Sequence, residues 1–290
     1  MSKITVNGIS VHYTDTGSGE PVVLVHSGGN SSGQWRGVAE ALENRFRLLA
    51  IDLPGHGKTR PWAGPAPAGL DDLATPVLAL AEAHGGSAHL VGHSFGGGVA
   101  LRAALMAPER CKTLSLFEPN AFSLLQAAGE DALFAEASRH AEQDMADLAR
   151  GARETMMERF VDFWNDAPGM WGGLPGHIRE KLLQTAEGIV DGWRALLADS
   201  ITLADLNAMT LPTLVLGGDR THKTLERIAQ IAAAEIPGAS LIIIPGAGHM
   251  APLTHPIPLA EALAAHMKGG SSKAEPRGPS QGNPKRLDRV

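Results

Sequence analysis

Six short runs in this chain are largely apolar, and helical stretches separate them. The runs are Pro21–His26, Phe46–Asp52, Ala88–His93, Thr113–Glu118, Thr213–Gly217 and Leu241–Pro245. Val22-Val23-Leu24-Val25 and Leu241-Ile242-Ile243-Ile244 offer no polar face, which is what a sheet sandwiched between two layers of helices requires. Helical patterns fall near Gln34–Leu42, Asp71–Ala83, Phe95–Met106, Thr224–Ala234 and Ile257–Met267. Strand and helix in alternation imply an α/β fold with a mostly parallel sheet and right-handed crossovers. At the start, Ile4–Val11 places Asn7-Gly8 between two short alternating runs, the signature of a type I′ hairpin turn.

One interval breaks the alternation. Between Asn120 and Asn207 the patterns are only helical, over Ala127–Arg150, Arg153–Phe163, His177–Leu183 and Ile189–Leu197, and Pro168-Gly169 and Gly172-Gly173 interrupt them. An all-helical insertion between two strands is most simply a cap over one end of the sheet. The expected organisation is a core of residues 1–119 and 207–267, a cap of 120–206 and a tail of 268–290. That tail carries six basic residues against two acidic ones and is rich in Gly, Ser and Pro. It cannot bury enough surface to offset ordering entropy, so disorder is expected there. It reads as an extension without function, or else as a basic tether.

Composition narrows the classes further. The chain has 290 residues and a net charge of −6, which does not suggest a nucleic-acid binder. A single cysteine, Cys111, allows neither an internal disulfide nor a cysteine-based zinc site. No apolar run approaches the roughly 18 residues of a membrane span, and Met1-Ser2-Lys3 leads straight into a strand pattern. A soluble cytoplasmic protein acting on a small molecule, with no nucleic-acid or membrane partner, is the expectation; the oligomeric state is open.

The chemistry concentrates at Gly92-His93-Ser94-Phe95-Gly96, set between an apolar strand and an Ala/Leu-rich helix. That context makes the GxSxG pattern a nucleophile elbow. The serine sits at a sharp, strained turn, and glycines on either side let strand and helix approach closely. Its Oγ then stands above the strand ends, beside a helix N-terminus that favours a developing oxyanion. A serine needs a base, and Gly246-Ala247-Gly248-His249-Met250 follows the last strand, where a loop histidine can swing over a neighbouring strand end.

Together these marks resemble the α/β-hydrolase family over about residues 4–267. The likeness rests on His26-Ser27-Gly28-Gly29, Asp52-Leu53-Pro54-Gly55-His56-Gly57, Gly92-His93-Ser94-Phe95-Gly96 and Gly248-His249-Met250. It implies an eight-stranded sheet with a helical cap after strand six, Ser94 as nucleophile, and His249 as general base. It also implies an oxyanion hole from the backbone N–H groups of Gly28 and Phe95. Where the family usually carries His-Gly, this chain has His26-Ser27, so Ser27 either keeps the loop shape or adds a hydroxyl near the substrate.

Two carboxylates compete for the role of triad acid. In the commonest family pattern an aspartate lies three residues past the glycine ending strand seven. Counted from Gly217 that position is Arg220, with Asp219 one residue early. Glu118 closes strand six in Leu116-Phe117-Glu118-Pro119, where some members carry their acid instead. Its register fits and that of Asp219 slips, so Glu118 is preferred.

The remaining candidates are weaker. His56 is read as shaping a turn, His93 as packed beneath the site and Cys111 as a small packing residue. Trp164, Trp171 and Trp193 are either cap core or an apolar lid over the substrate pocket, and Trp35 either lines a pocket or packs under the sheet.

The resemblance implies a serine esterase acting on a small, largely apolar ester with no cofactor and no metal. Dinucleotide, phosphate-loop and HExxH patterns are missing. The same residues fit a cofactor-free haloperoxidase or perhydrolase, or a carbon–carbon bond hydrolase. A non-catalytic protein that keeps the pocket to bind a small ligand is the alternative of another class.

Overall fold

The computed structural model describes residues 2–64 and 66–270. Eight strands form one sheet: β1 (Ser2–Val6), β2 (Ile9–Gly17), β3 (Glu20–Val25), β4 (Phe46–Ile51), β5 (Ala88–His93), β6 (Cys111–Phe117), β7 (Thr213–Arg220) and β8 (Ser240–Gly248). Their spatial order is β1-β2-β4-β3-β5-β6-β7-β8. β1 and β2 pair antiparallel around Asn7 and Gly8, both at positive φ, and β2 pairs antiparallel with β4. From β4 onward every pairing is parallel.

Strand alternation builds two cores. Val23, Val25, Leu49 and Ile51 face one layer, with helices α2 (Leu70–Ala83), α3 (Phe95–Met106) and α11 (Lys223–Glu235). Val22, Leu24, Leu48 and Ala50 face the other, with α1 (Arg36–Leu42) and α13 (Pro256–Gly270). A short α12 (Ala251–Thr254) precedes α13. Burying both faces is the source of the apolar strand runs. Trp35 is fully buried in the second core, beneath the sheet.

β8 departs from that rule. It is the sheet's edge strand, and Leu241, Ile242 and Ile243 are 39%, 41% and 45% exposed. Its apolar run therefore does not mark burial on both faces, because no further strand flanks it.

Between β6 and β7 the chain is helical throughout: α4 (Phe122–Ala127), α5 (Asp131–Ala149), α6 (Arg153–Trp164), α7 (Met170–Gly173), α8 (Gly176–Leu183), α9 (Ala186–Leu197) and α10 (Leu203–Asn207). The single helix expected over Ala127–Arg150 is instead broken at Gly129, which adopts φ +75°. Stacked aromatic rings tie this insertion together: Trp193 lies 5.4 Å from Phe122 and 5.7 Å from Trp164. Buried Asp144 accepts hydrogen bonds from Arg159 (2.8 Å) and from the Trp193 indole (3.2 Å), which fixes those helices relative to one another. Trp171 is buried in the same core.

Of the expected tail, residues 268–270 continue α13, and 271–290 lie outside the described residues. Among the described residues no helix is long and apolar enough to cross a membrane, and no histidine, cysteine and carboxylate cluster could hold a metal.

Candidate active site

The site gathers at the carboxyl ends of the central parallel strands. Ser94 is the turn between β5 and α3, at φ +54° and ψ −121°, a conformation a side chain adopts only under strain. The flanking glycines make that turn passable. A Cβ on Gly92 would lie 2.4 Å from the Gly96 carbonyl oxygen, and one on Gly96 would lie 2.3 Å from the His26 carbonyl oxygen. The turn is pinned by its own backbone: Ser94 N–H donates to Phe117 O (3.0 Å), and Ser94 O accepts from Asn120 N–H (2.9 Å).

His249 follows β8 directly. Its Nδ1 lies 2.7 Å from Glu118 Oε2 and its Nε2 3.0 Å from Ser94 Oγ. A carboxylate only accepts, so Nδ1 carries the proton and Nε2 is left to accept from the serine hydroxyl. Glu118 has no solvent exposure and sits just past β6 at φ +43°. Its other contacts are donors as well: Gly218 N–H to Oε1 and Thr221 Oγ to Oε2, each 2.8 Å. Three donors satisfy this carboxylate in a place where an unpaired buried group would be costly.

Asp219 lies elsewhere. The β7–β8 register shifts between Gly218 and Arg220, and Asp219 is exposed, accepting the Gly246 N–H at 2.8 Å. The carboxylate that meets His249 is Glu118, and Asp219 holds the β8 loop in place.

The loop after β3 is braced by its own side chains. Ser27 N–H and Oγ both donate to Gln34 Oε1 (3.1 and 2.7 Å), and Asn30 Nδ2 donates to Ser27 Oγ (3.0 Å). The Ser27 hydroxyl is thus engaged in loop shape, although the residue also borders the cavity. His26 Nε2 accepts Leu53 N–H (3.0 Å), so its Nδ1 proton goes to Ser27 O (2.7 Å) and it bridges the loops after β3 and β4. These contacts set Gly28 beside Ser94 at the cavity wall. The Phe95 N–H is the first of α3 and has no intrahelical partner.

Three further histidines lie beneath this surface. Burial lowers the His26 pKa, and burial together with His26 pushes His56 down to about 3. His93 is held well below the ordinary value by burial, its ring 4.7 Å from that of His249. All three are neutral at neutral pH. His56 turns the chain between Gly55 and Gly57, both at positive φ. Cys111 is buried at the start of β6, its thiol pushed up to about 12 by burial.

Ser94 and His249 open onto a cavity of about 240 Å³, largely apolar, walled by Phe160, Trp164, Met170, Ile178, Leu182 and Leu253 among others. Trp164 is both core of the insertion and cavity wall, its ring 6.2 Å from that of His249. Most of these walls come from α6, α7 and α8, where sequence patterns show only amphipathic helices. Ser94 also borders a smaller chamber of about 20 Å³, lined by Phe95, Asn120, Gly192 and Leu196 among others.

A model of the alpha/beta hydrolase family matches residues 22–262. The chain belongs to the alpha/beta hydrolase family. Relatives include proteins named as hydrolases and esterases, and it is an enzyme of that family. It is 30% identical over 250 residues to a pimeloyl-[acyl-carrier protein] methyl ester esterase of Nitrosomonas europaea, covering 85% of this chain and 95% of that one. A 2-hydroxy-6-oxo-6-phenylhexa-2,4-dienoate hydrolase of Burkholderia cepacia is 28% identical over 270 residues, with 87% and 91% covered. Among solved structures, a thermophilic esterase from Thermogutta terrifontis superposes with a TM-score of 0.73 at 24% identity, over 93% of this α/β hydrolase and 99% of that chain. An enol-lactonase from Burkholderia xenovorans LB400 gives 0.73 at 19% identity, over 92% and 100%. At that identity the likeness speaks for the fold.

Proposed function

We propose that this α/β hydrolase cleaves a small, largely apolar carboxylic ester through an acyl-enzyme on Ser94. The observation that carries the reading is the unbroken run of hydrogen bonds from Glu118 through His249 to Ser94, ending at the apolar cavity. His249 Nε2 takes the Ser94 proton as Oγ attacks the carbonyl carbon, and Glu118 stabilises the imidazolium that forms. The developing oxyanion lies between the N–H groups of Gly28 and Phe95, with the α3 N-terminus adding positive potential. His249 then protonates the departing alkoxide. Water attacks the acyl-enzyme with His249 again as base, releasing acid and free Ser94.

The Burkholderia cepacia relative, named for a dienoate, raises carbon–carbon hydrolysis on the same residues as a second reading. Against it, the described cavity lining includes neither lysine nor arginine, and a carboxylate substrate is best held by such groups. An ester without charge suits this wall better.

The test is hydrolysis of p-nitrophenyl acetate and butyrate by the wild type and by Ser94→Ala. Turnover by the wild type that falls to the buffer rate in the variant is expected. Equal release by both proteins would leave the chain a ligand-binding member of its fold.

A further inference from the structure

Ser94 borders two chambers of very different size, and only one of them touches His249. The larger, about 240 Å³, is bordered by Ser94, Gly28 and His249. The smaller, about 20 Å³, is bordered by Ser94, Gly28 and Phe95, with Asn120, Gly192 and Leu196 among its other walls. We infer that the smaller chamber receives the acyl chain and favours an acetyl-sized group over longer ones, so the preferred substrate is a short-acyl ester of a bulky, apolar alcohol. The inference rests on the Ser94 ester-hydrolase reading and deepens it.

The assignment follows from where the proton must go. Collapse of the tetrahedral intermediate breaks the bond from carbon to the alcohol oxygen. That oxygen takes its proton from His249 Nε2, so it must lie within hydrogen-bond reach of the imidazole. The alcohol portion therefore leaves on the His249 side, into the larger chamber. With Ser94 Oγ and the oxyanion filling two more of the four positions on the carbon, the acyl chain is directed away from His249. The smaller chamber is the space bordering Ser94 that His249 does not reach, and the acyl chain is assigned to it.

Size then sets the limit. A space of about 20 Å³ holds one or two heavy atoms, on the scale of a single water site. Its walls are not easily displaced. Phe95 is held at the first turn of α3, and Trp193 stacks on both Phe122 and Trp164. The chamber is narrow because α9 packs closely: a Cβ on Gly192 would lie 3.2 Å from the Phe95 ring. The alcohol side, by contrast, is broad and apolar, with exposed Met170 and Leu253 at its edge.

Hexyl acetate and ethyl hexanoate test this directly. They are isomers with similar alkoxide leaving groups, and they exchange which side of the carbonyl is long. In a pH-stat assay the expected kcat/KM is at least tenfold higher for hexyl acetate. A smaller ratio, or a preference for ethyl hexanoate, overturns the inference while both activities still vanish in Ser94→Ala. If neither ester is cleaved faster than by Ser94→Ala, the hydrolase reading itself falls, and this inference with it.

Two variants report on the chamber through a ratio measured within each protein, so partial loss of folded enzyme cancels. Leu196→Ala enlarges the chamber and should raise the hexyl butyrate to hexyl acetate ratio at least fivefold. Gly192→Ala narrows it and should lower that ratio. Ratios that stay at the wild-type value in both variants refute the assignment.

Discussion

Glu118→Gln changes one atom pair and should remove nearly all activity, for a reason set by a backbone group. In the wild type Glu118 Oε1 accepts the Gly218 N–H, while Oε2 accepts from His249 Nδ1 and from Thr221 Oγ. Glutamine has only one acceptor oxygen. If that oxygen stays on Gly218, the amide NH₂ faces His249, and Nδ1 must become the acceptor. The ring proton then moves to Nε2, which can no longer accept from Ser94. If the amide flips instead, NH₂ confronts the Gly218 N–H, and a buried donor is left without a partner at about 1–3 kcal/mol. The fixed backbone donor thus selects the wrong imidazole tautomer. An error of that kind lowers kcat by about 10⁴, which is about 5.5 kcal/mol of lost transition-state stabilisation. The assay is steady-state hydrolysis of p-nitrophenyl acetate by Glu118→Gln beside Asp219→Asn, with folding verified by circular dichroism. Asp219→Asn should stay within about threefold of wild type, since its carboxylate only accepts the Gly246 N–H at the surface. A crippled Asp219→Asn beside a Glu118→Gln that keeps a tenth of the activity would refute this account of the acid.

Two further predictions concern stability. His56 keeps a pKa near 3 in the folded chain against 6.5 as its ordinary value. Below pH 6.5 the unfolded chain therefore binds a proton that the folded chain refuses, and stability falls as pH falls toward 3. At pH 5.0 His56 alone accounts for about 2 kcal/mol. Urea unfolding at pH 7.5 and 5.0 should show a smaller acid loss in His56→Gln than in the wild type, and equal losses would contradict the assignment. In Gly96→Ala the added methyl meets the backbone carbonyls of His26 and Val25 at 2.3 and 2.4 Å. Overpacking against rigid backbone should cost about 3 kcal/mol and lower Tm by about 10 °C in a thermal melt. An unchanged Tm would show that the elbow relaxes more readily than this geometry allows.

Much of the fold could be read from the chain because burial on both sheet faces leaves a mark on single residues. Val22 and Leu24 face one core, Val23 and Val25 the other, and no polar residue fits at any of the four. The same logic misread β8, since Leu241, Ile242 and Ile243 look equally buried but lie on an edge that the sequence cannot locate. Ser94 was legible because the turn it needs excludes all but glycine two residues to either side. Asp219 fails on a β-irregularity that moves it out of line with His249, and a register slip of that size appears only as a misplaced count. Thr221 and Asn120 gave no signal at all, because a hydroxyl on Glu118 and an amide beside Ser94 are products of packing between distant segments. The walls of the cavity were hidden for the same reason: Phe160, Ile178 and Leu182 are ordinary helix residues until α6 and α8 are laid over the strand ends.

The buried histidines bear on the same chemistry from below. In the proposed acylation His249 becomes an imidazolium, and Glu118 is the carboxylate in contact with it. His93 lies 4.7 Å away, ring to ring. Were it charged at that moment, repulsion would be about 3.5 kcal/mol at an effective dielectric constant near 20, more than a hundredfold in rate. Burial keeps His93 neutral, as it does His26 and His56. A layer of uncharged imidazoles thus packs under the strand ends without opposing the positive charge that the proposed mechanism creates. Glu118 can then act on His249 undiminished, which is the condition under which a single carboxylate suffices.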